Sequence, residues 1–324
     1  MDKPVRREAR QLGYLTWKDR FLTDSLPYSY LKISDGCDRM CTYCAIPSMR
    51  GHFRSRPLDS IIREAEFLAS SGKKELILVS QEATMWGYDL PGEPQVISLL
   101  EELDEVDGIE WIRLMYLHPA KMDEALVEYM ASNNKTLNYF DLPLQHVSTP
   151  VLEAMRRQID RPQTETVLNM IRSRSNNNTL RTTFIVGFPG ETGEQFEELL
   201  EAVETYRFDR LGVFPYSPEE GTPAEQMPDQ IDDDTKRERM DLIMSLQQEI
   251  AFERNLSMVG QRMQVLIDSV DSKGQAIGRT EADCPEIDQE VYVSGENLRV
   301  GDLVEVTISA AEGYDLRGST LNQD

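Results

Sequence analysis

The amino-acid sequence predicts an α/β fold: six β/α units in series, wrapping a parallel sheet into a partial barrel, followed by a small all-β unit. Three observations carry this reading. Short apolar runs recur six times between residues 28 and 216, each followed by a stretch with helical spacing. After Gly260 the apolar period changes from 3.6 to 2. Three of the four cysteines fall together directly after the first run, where a barrel of this kind carries its chemistry.

Residues 1–22 form a polar, mildly basic leader or linker, and Met1 to Arg7 lack the apolar segment of a secretory signal. Tyr28 to Ser34 reads as the first strand, followed by the cysteine loop and a helix over Leu58, Ile61, Ile62, Ala65 and Leu68 that closes at Gly72. Glu75 to Ser80 is a buried parallel strand, with a helix over Val96 to Leu103. Trp111 to Leu117 precedes a helix over Met122 to Ala131. Tyr139 to Leu144 precedes helical segments at Val151 to Arg157 and Thr164 to Arg174. Leu180 to Val186 leads to a helix at Gly193 to Tyr206, and Leu211 to Tyr216 to a long helix near Asp234 to Leu256. The core domain is thus expected over residues 23–255, a TIM-like partial (β/α)6 barrel. Beyond it, alternation at Met263, Val265 and Ile267, at Val291 and Val293, and at Val304, Val306 and Ile308 predicts a small all-β barrel over residues 256–324.

The chain carries 34 Lys plus Arg against 57 Asp plus Glu, a net charge of -23. Such a field repels phosphate backbones, so nucleic acid is disfavoured and a basic protein favoured as partner. An acidic surface that only keeps the protein soluble accounts for the charge equally well. No run approaches the roughly 18 apolar residues of a membrane span, so a soluble protein with no membrane partner is expected. Four cysteines in 324 residues, three of them crowded together, suit a reducing cytoplasm.

Cys37, Cys41 and Cys44 are spaced Cys-x3-Cys-x2-Cys, which reads as a metal site. A 4Fe-4S cube normally takes four thiolates; three would leave one iron open to bind a small molecule. Cys37, Cys41 and Cys44 with His52 could alternatively form a structural zinc knuckle.

This spacing, with Tyr43 as the aromatic residue before the last cysteine, resembles the signature of the radical S-adenosylmethionine enzymes. Further along, Ser80-Gln81-Glu82, Leu142-Pro143-Leu144-Gln145-His146, Met155-Arg156-Arg157, Phe184 to Glu191 and Phe214 to Thr222 resemble the methylthiotransferase branch, and the closing β unit resembles its TRAM module. Ala282 to Asp288 and Tyr314-Asp315-Leu316 look most like the RimO-type members. The resemblance implies that Cys37, Cys41 and Cys44 hold a 4Fe-4S cluster, that the open iron chelates S-adenosylmethionine, and that its reductive cleavage yields a 5'-deoxyadenosyl radical. It implies transfer of a methylthio group to the β-carbon of an aspartate in small-subunit ribosomal protein S-twelve, one S-adenosylmethionine supplying the methyl group and another the radical. A flavodoxin or ferredoxin is the implied electron donor, and a monomer is expected.

For the cofactor, the resemblance points to Tyr43 near the adenine and to Ser80, Gln81 and Glu82, at the end of the second strand, for the methionine ammonium; an ordinary β/α turn explains these three as well. Gln145 belongs to the cofactor set by its motif. Gly187 and Gly190 suit an adenosine bed, though a tight turn uses glycine equally. Tyr216 lines either the adenine pocket or the core. His146 reads as a satisfied core histidine, and Arg156 and Arg157 either pair with carboxylates or stand idle on a helix.

Two features depart from the family pattern. The family carries an N-terminal domain with three more cysteines for a second 4Fe-4S cluster, which has no counterpart here. The one remaining cysteine, Cys284, reads as a small buried hydrophobe. A chain that cleaves S-adenosylmethionine at one cluster without inserting sulfur by itself is therefore expected. The alternatives are a tRNA adenosine methylthiotransferase and a non-catalytic zinc-stabilised scaffold. Against tRNA, residues 257–324 hold five Lys or Arg (Arg262, Lys273, Arg279, Arg299, Arg317) and thirteen Asp or Glu, a balance that suits a basic protein better than RNA.

Overall fold

Strand β4 (Glu75–Val79) is central to a three-stranded parallel sheet: β1 (Tyr28–Lys32) pairs with it from Tyr28↔Glu75 to Lys32↔Val79, and β5 (Trp111–Leu114) lies on its other side. A second parallel sheet orders β6 (Tyr139–Gln145), β7 (Thr179–Val186) and β8 (Arg210–Pro215). A single parallel bridge, Ile112↔Thr136, joins the two, so the six strands follow one another in chain order as the partial barrel expected. This computed structural model describes residues 20–175 and 177–320; the leader expected over residues 1–22 lies, through residue 19, outside the described residues.

Apolar faces of the helices cover the outside of the sheet. In α2 (Leu58–Ser70) Ile61, Ala65 and Leu68 turn inward, in α3 (Val96–Asp104) Leu99, Leu100 and Leu103, and in α7 (Gly193–Tyr206) Phe196, Leu199 and Val203, all joining one core. Helices α4 (Glu124–Ser132), α6 (Arg161–Arg174) and α7 begin at the side-chain caps Asp123, Asp160 and Thr192. Helix α5 (Thr149–Ala154) is shorter than the periodicity suggests, because Arg156 takes φ 54° and ends it. Strand β5 stops at Leu114, three residues early, because Tyr116 adopts φ 60° and leaves strand geometry. The sequence reading also missed α1 (Ile46–Arg50) and the two-residue ladder of β2 (Ser34–Asp35) with β3 (Arg54–Ser55), which frame the cysteine loop.

Helix α8 (Asp233–Met258) leads into a closed barrel of β9 (Arg262–Val270), β10 (Ala276–Thr280), β11 (Val291–Ser294), β12 (Leu303–Glu312) and β13 (Asp315–Thr320), in the order β10-β11-β13-β12-β9. Val265, Ile267, Val291, Val293, Val306 and Ile308 fill its centre. Alternation marked those strands, whereas β10 and β13 escaped it. Each carries a glycine at a crowded point: a Cβ on Gly278 would lie 2.3 Å from the Leu266 carbonyl oxygen, and one on Gly318 2.4 Å from Val306 Cγ1.

The segment 281–290, between β10 and β11, enters the foot of the parallel barrel. Cys284 packs with Tyr28, Ile77, Trp111 and Tyr139 and is 2% exposed, so it is the small buried side chain expected, and burial pushes its thiol up to about 12. Around it, inward-pointing residues from the starts of the strands meet charges of the C-terminal unit. Arg210 pairs with Asp283 (Nε to Oδ1 3.0 Å), Tyr139 Oη donates to Asp288 (2.6 Å) and Arg279 lies 2.8 Å from Glu75.

Candidate functional site

At the opposite end of the parallel strands the chain encloses a cavity of about 920 Å3, open on one side. Cys37, Cys41 and Cys44 all line it, together with Tyr43, Ser80, Gln81, Glu82 and Gln145. The loop that carries the thiols is held from several sides. Gly36 takes φ 78° where a Cβ would meet the His52 carbonyl oxygen at 2.2 Å, and Cys37 N donates to Gly51 O. Thr42 donates twice to the end of α5, to Met155 O (3.1 Å) and Ala154 O (2.8 Å). Arg39 forks onto Glu82 with contacts of 2.8 and 2.6 Å, which ties the loop to the end of β4.

The thiols are free of disulfides. Burial pushes Cys37 up to about 11, against the pull of the Arg39 backbone N–H, and it raises Cys44. Among the described residues no three His, Cys, Asp or Glu side chains gather closely enough to hold a single metal ion; a cube takes its thiolates on different irons. His52, the fourth ligand of the zinc alternative, stands in solvent with Nδ1 2.7 Å from Asp38 and does not line the cavity.

The structure separates the remaining sequence candidates. Ser80 Oγ accepts from Glu82 N at 2.8 Å, and Gln81 Oε1 is buried without a partner. Pro143 has no N–H to give the β6–β7 ladder, the register shifts between Leu142 and Gln145, and Gln145 takes φ 73° on the cavity wall. Glu82 is on the wall too, but its carboxylate is committed to Arg39. Gly187 and Tyr216 lie outside the lining. Gly187 takes φ 70° because Lys236 of α8 packs against it, 2.2 Å from where a Cβ would stand. Tyr216 packs edge-on against Phe188 behind the cysteine loop, with Tyr43 against the same cluster. His146 is buried at the end of β6 with Nδ1 accepting from Ser148 N, but its Nε2 is buried without a partner, so it is a core histidine that is only half satisfied. Arg157 reaches the wall, where Nη1 lies 4.0 Å from Cys41 Sγ; Arg156 is exposed.

Sequence reasoning missed several lining residues. His118, after β5, accepts at Nδ1 from Ala120 N, and its Nε2 is buried without a partner. Burial, with Arg157 and Arg39 nearby, depresses it to about 2, so it is neutral. Lys32, Arg181 and Phe214 also line the cavity. Counting every second residue along β1 and β7 marks Lys32 as a neighbour of Tyr30, and Arg181 of Thr183, on the inward face.

A partial barrel with three thiols of this spacing at the end of its first strand is the framework of a radical S-adenosylmethionine enzyme. Residues 31–203 match the radical SAM superfamily and residues 259–321 the TRAM domain. The chain belongs to that superfamily and, within it, to the family of ribosomal protein uS12 methylthiotransferases, RimO. It is 43% identical over 320 residues to the protein of that name from Desulforamulus reducens, covering 98% of this chain and 72% of the relative. Against the one from Aquifex aeolicus it is 44% identical over 315 residues, covering 95% and 73%. Among solved structures, coproporphyrinogen III oxidase HemN of Escherichia coli, described as a radical SAM enzyme, superposes with a TM-score of 0.54 at 15% identity, covering 79% of this chain and 65% of that one, which is a likeness of fold. Membership implies a 4Fe-4S cluster and S-adenosylmethionine as cofactors. Among the described residues no helix is long and apolar enough to cross a membrane.

Proposed function

We propose that Cys37, Cys41 and Cys44 hold a single 4Fe-4S cluster, that S-adenosylmethionine occupies the cavity beside it, and that the reaction functionalises the β-carbon of an aspartate in ribosomal protein uS12. The observation that carries this reading is the 43% identity, over 98% of this chain, to a relative named as a ribosomal protein uS12 methylthiotransferase, together with the three thiols on one cavity wall. When bound, the cluster and S-adenosylmethionine supply the electron and the carbon radical that takes a hydrogen atom from an unactivated carbon.

The chain's own residues bind, orient and exclude water. Tyr43 bounds the cavity beside the thiols, and Ser80, Gln81 and Gln145 present polar groups to a methionine moiety. The unpartnered Gln81 Oε1 is an acceptor suited to an ammonium. Arg157, with no carboxylate partner among the described residues and a guanidinium near Cys41, offsets negative charge on the thiolates or on a bound carboxylate. Glu82 positions rather than binds, through Arg39.

The C-terminal barrel is suited to a basic partner. Of its cations, Arg279 is turned inward onto Glu75 and Asp268, while Arg262 pairs with Glu305 and Arg317 with Glu312. Lys273 and Arg299 are exposed as well, yet acidic side chains outnumber basic ones among the exposed residues of the barrel. A cytoplasmic monomer reduced by flavodoxin or ferredoxin completes the reading.

Anaerobic reconstitution with iron and sulfide, reduction with S-adenosylmethionine present, and assay of 5'-deoxyadenosine test it. Product from the parent and none from Cys41→Ala is expected, with about four irons per chain. About eight irons, or a colourless zinc protein without product, would overturn the single-cluster assignment. Tighter binding of tRNA than of uS12 at physiological salt would overturn the substrate.

A further inference from the structure

An aspartate that reacts at its β-carbon carries its carboxylate one bond from the reacting atom, so the anion must enter the cavity with it. An anion withdrawn from water needs a charged or hydrogen-bonding partner there. Four cations line the cavity. Lys32 is 2.7 Å from Asp35, Arg39 is forked onto Glu82, and Arg157 lies against Pro143 O and the Cys41 thiol.

Arg181 differs from these three. It stands on β7 and lines the cavity, and its ion-pair partners come from β6 and from the segment 281–290. Its Nη1 donates to Asp141 Oδ1 at 2.9 Å, and its Nε lies 3.6 Å from Asp288 Oδ1; these carboxylates are 1% and 2% exposed. Asp141 is in turn fixed by the Tyr116 N–H and Asp288 by the Tyr139 hydroxyl and the Cys284 N–H. The guanidinium is thus hydrogen-bonded by one buried carboxylate, Asp141, and lies within ion-pair distance of a second, Asp288, while its Nε is buried without a hydrogen-bond partner. Among the described residues its Nη2 makes no hydrogen bond, and the side chain keeps 17% of its surface open. A guanidinium fixed through Nη1 on a cavity wall, with Nη2 unpartnered, can donate from that nitrogen to a carboxylate.

We propose that Arg181 reads the acidic side chain of the target, Nη2 donating to the carboxylate of the aspartate whose β-carbon reacts, and that it sets the preference for aspartate over asparagine. This rests on the uS12 reading above. Arg181 is a specificity residue, since it touches substrate and takes no part in cleaving the cofactor. Asp288 belongs to the segment 281–290, so the C-terminal unit helps to aim the donor.

The test uses the full chain, reconstituted anaerobically with cluster and S-adenosylmethionine, and the fluorescence anisotropy of two labelled peptides: the uS12 target loop with its aspartate and the same loop with asparagine. The wild type is expected to favour the aspartate peptide about tenfold or more, since a site built around a donor for one group rejects the analogue that lacks it. In Arg181→Gln the preference should fall to about threefold or less, with the asparagine peptide binding nearly as before. Because the ratio is taken within one protein, general loosening of the fold weakens both peptides alike and leaves it unmoved. If Arg181→Gln does not fold, Arg181→Lys serves: a lysine held by Asp141 has no rigid free edge, and the preference should drop at least about threefold. An unchanged ratio in the folded variant, or equal binding of both peptides by the wild type, overturns the role of Arg181 while leaving the function standing. Binding of neither peptide above a scrambled control overturns both.

Discussion

Arg279, from the C-terminal barrel, lies 2.8 Å from Glu75, the first residue of β4, with side chains 3% and 0% exposed. Arg113 meets the same carboxylate at 2.8 Å from the neighbouring strand, and Asp268 takes the other side of Arg279 at 2.6 Å. Both arginines hold Glu75 ionised against the cost of burial, leaving its carboxyl lowered. Removing one member leaves an uncompensated buried charge. Glu75→Gln should destabilise the protein by about 3–5 kcal/mol, read from urea unfolding. Arg279→Met leaves Glu75 its Arg113 partner and should separate the one unfolding transition into two, the C-terminal barrel releasing first.

Among the described residues the Glu82 carboxylate hydrogen-bonds the cysteine loop through Arg39. Glu82→Gln should therefore weaken cluster retention about 10–100-fold, as loss of a supporting residue does at metal sites. Iron content and visible absorbance after desalting measure it. Retention equal to the parent would mean that the fork is incidental.

Gly187→Ala tests why a glycine follows β7. A positive φ costs an L residue about 1–2 kcal/mol, and the contact with Lys236 adds about 1–3 kcal/mol of overpacking. Adding Lys236→Ala should remove the second part and leave the first. A loss of S-adenosylmethionine affinity that persists in a fully stable double variant would instead return Gly187 to the ligand bed.

Two histidines give the acid side of the stability profile. Burial lowers His118 to about 2 and His146 to about 3, below the ordinary value of 6.5. The folded state resists protons that the unfolded state accepts, so this contribution is present above pH 6.5 and is lost as pH falls toward the folded values. Between pH 6.5 and 5 each should cost about 2 kcal/mol. His146→Gln should flatten roughly half of that slope in urea titrations at stepped pH.

The architecture was legible because apolar runs and helical spacing are local properties: Glu75 to Val79 and Val96 to Asp104 read directly. The thiols were legible because their ligand spacing lies within one short loop. What failed was non-local. Gly187 owes its conformation to Lys236, nearly fifty positions away, and Tyr216 turns into a cluster whose members come from four segments. The left-handed Tyr116, which cuts β5 short, has no composition cue. Lys32 and Arg181 were within reach of alternation, but a charge in a strand is normally read as solvent-facing, and only the cavity shows otherwise.

The segment 281–290 makes the C-terminal unit a plug for the foot of the parallel barrel. Whoever builds hybrids in this family, joining one member's front to another's tail, must therefore transplant the plug together with the strand feet that receive it. Glu75, Arg113, Tyr139, Arg181 and Arg210 on one side, and Arg279, Asp283, Cys284 and Asp288 on the other, form a lock-and-key pair inside a single polypeptide. Exchanging the tail alone would leave buried charges on both sides without their partners.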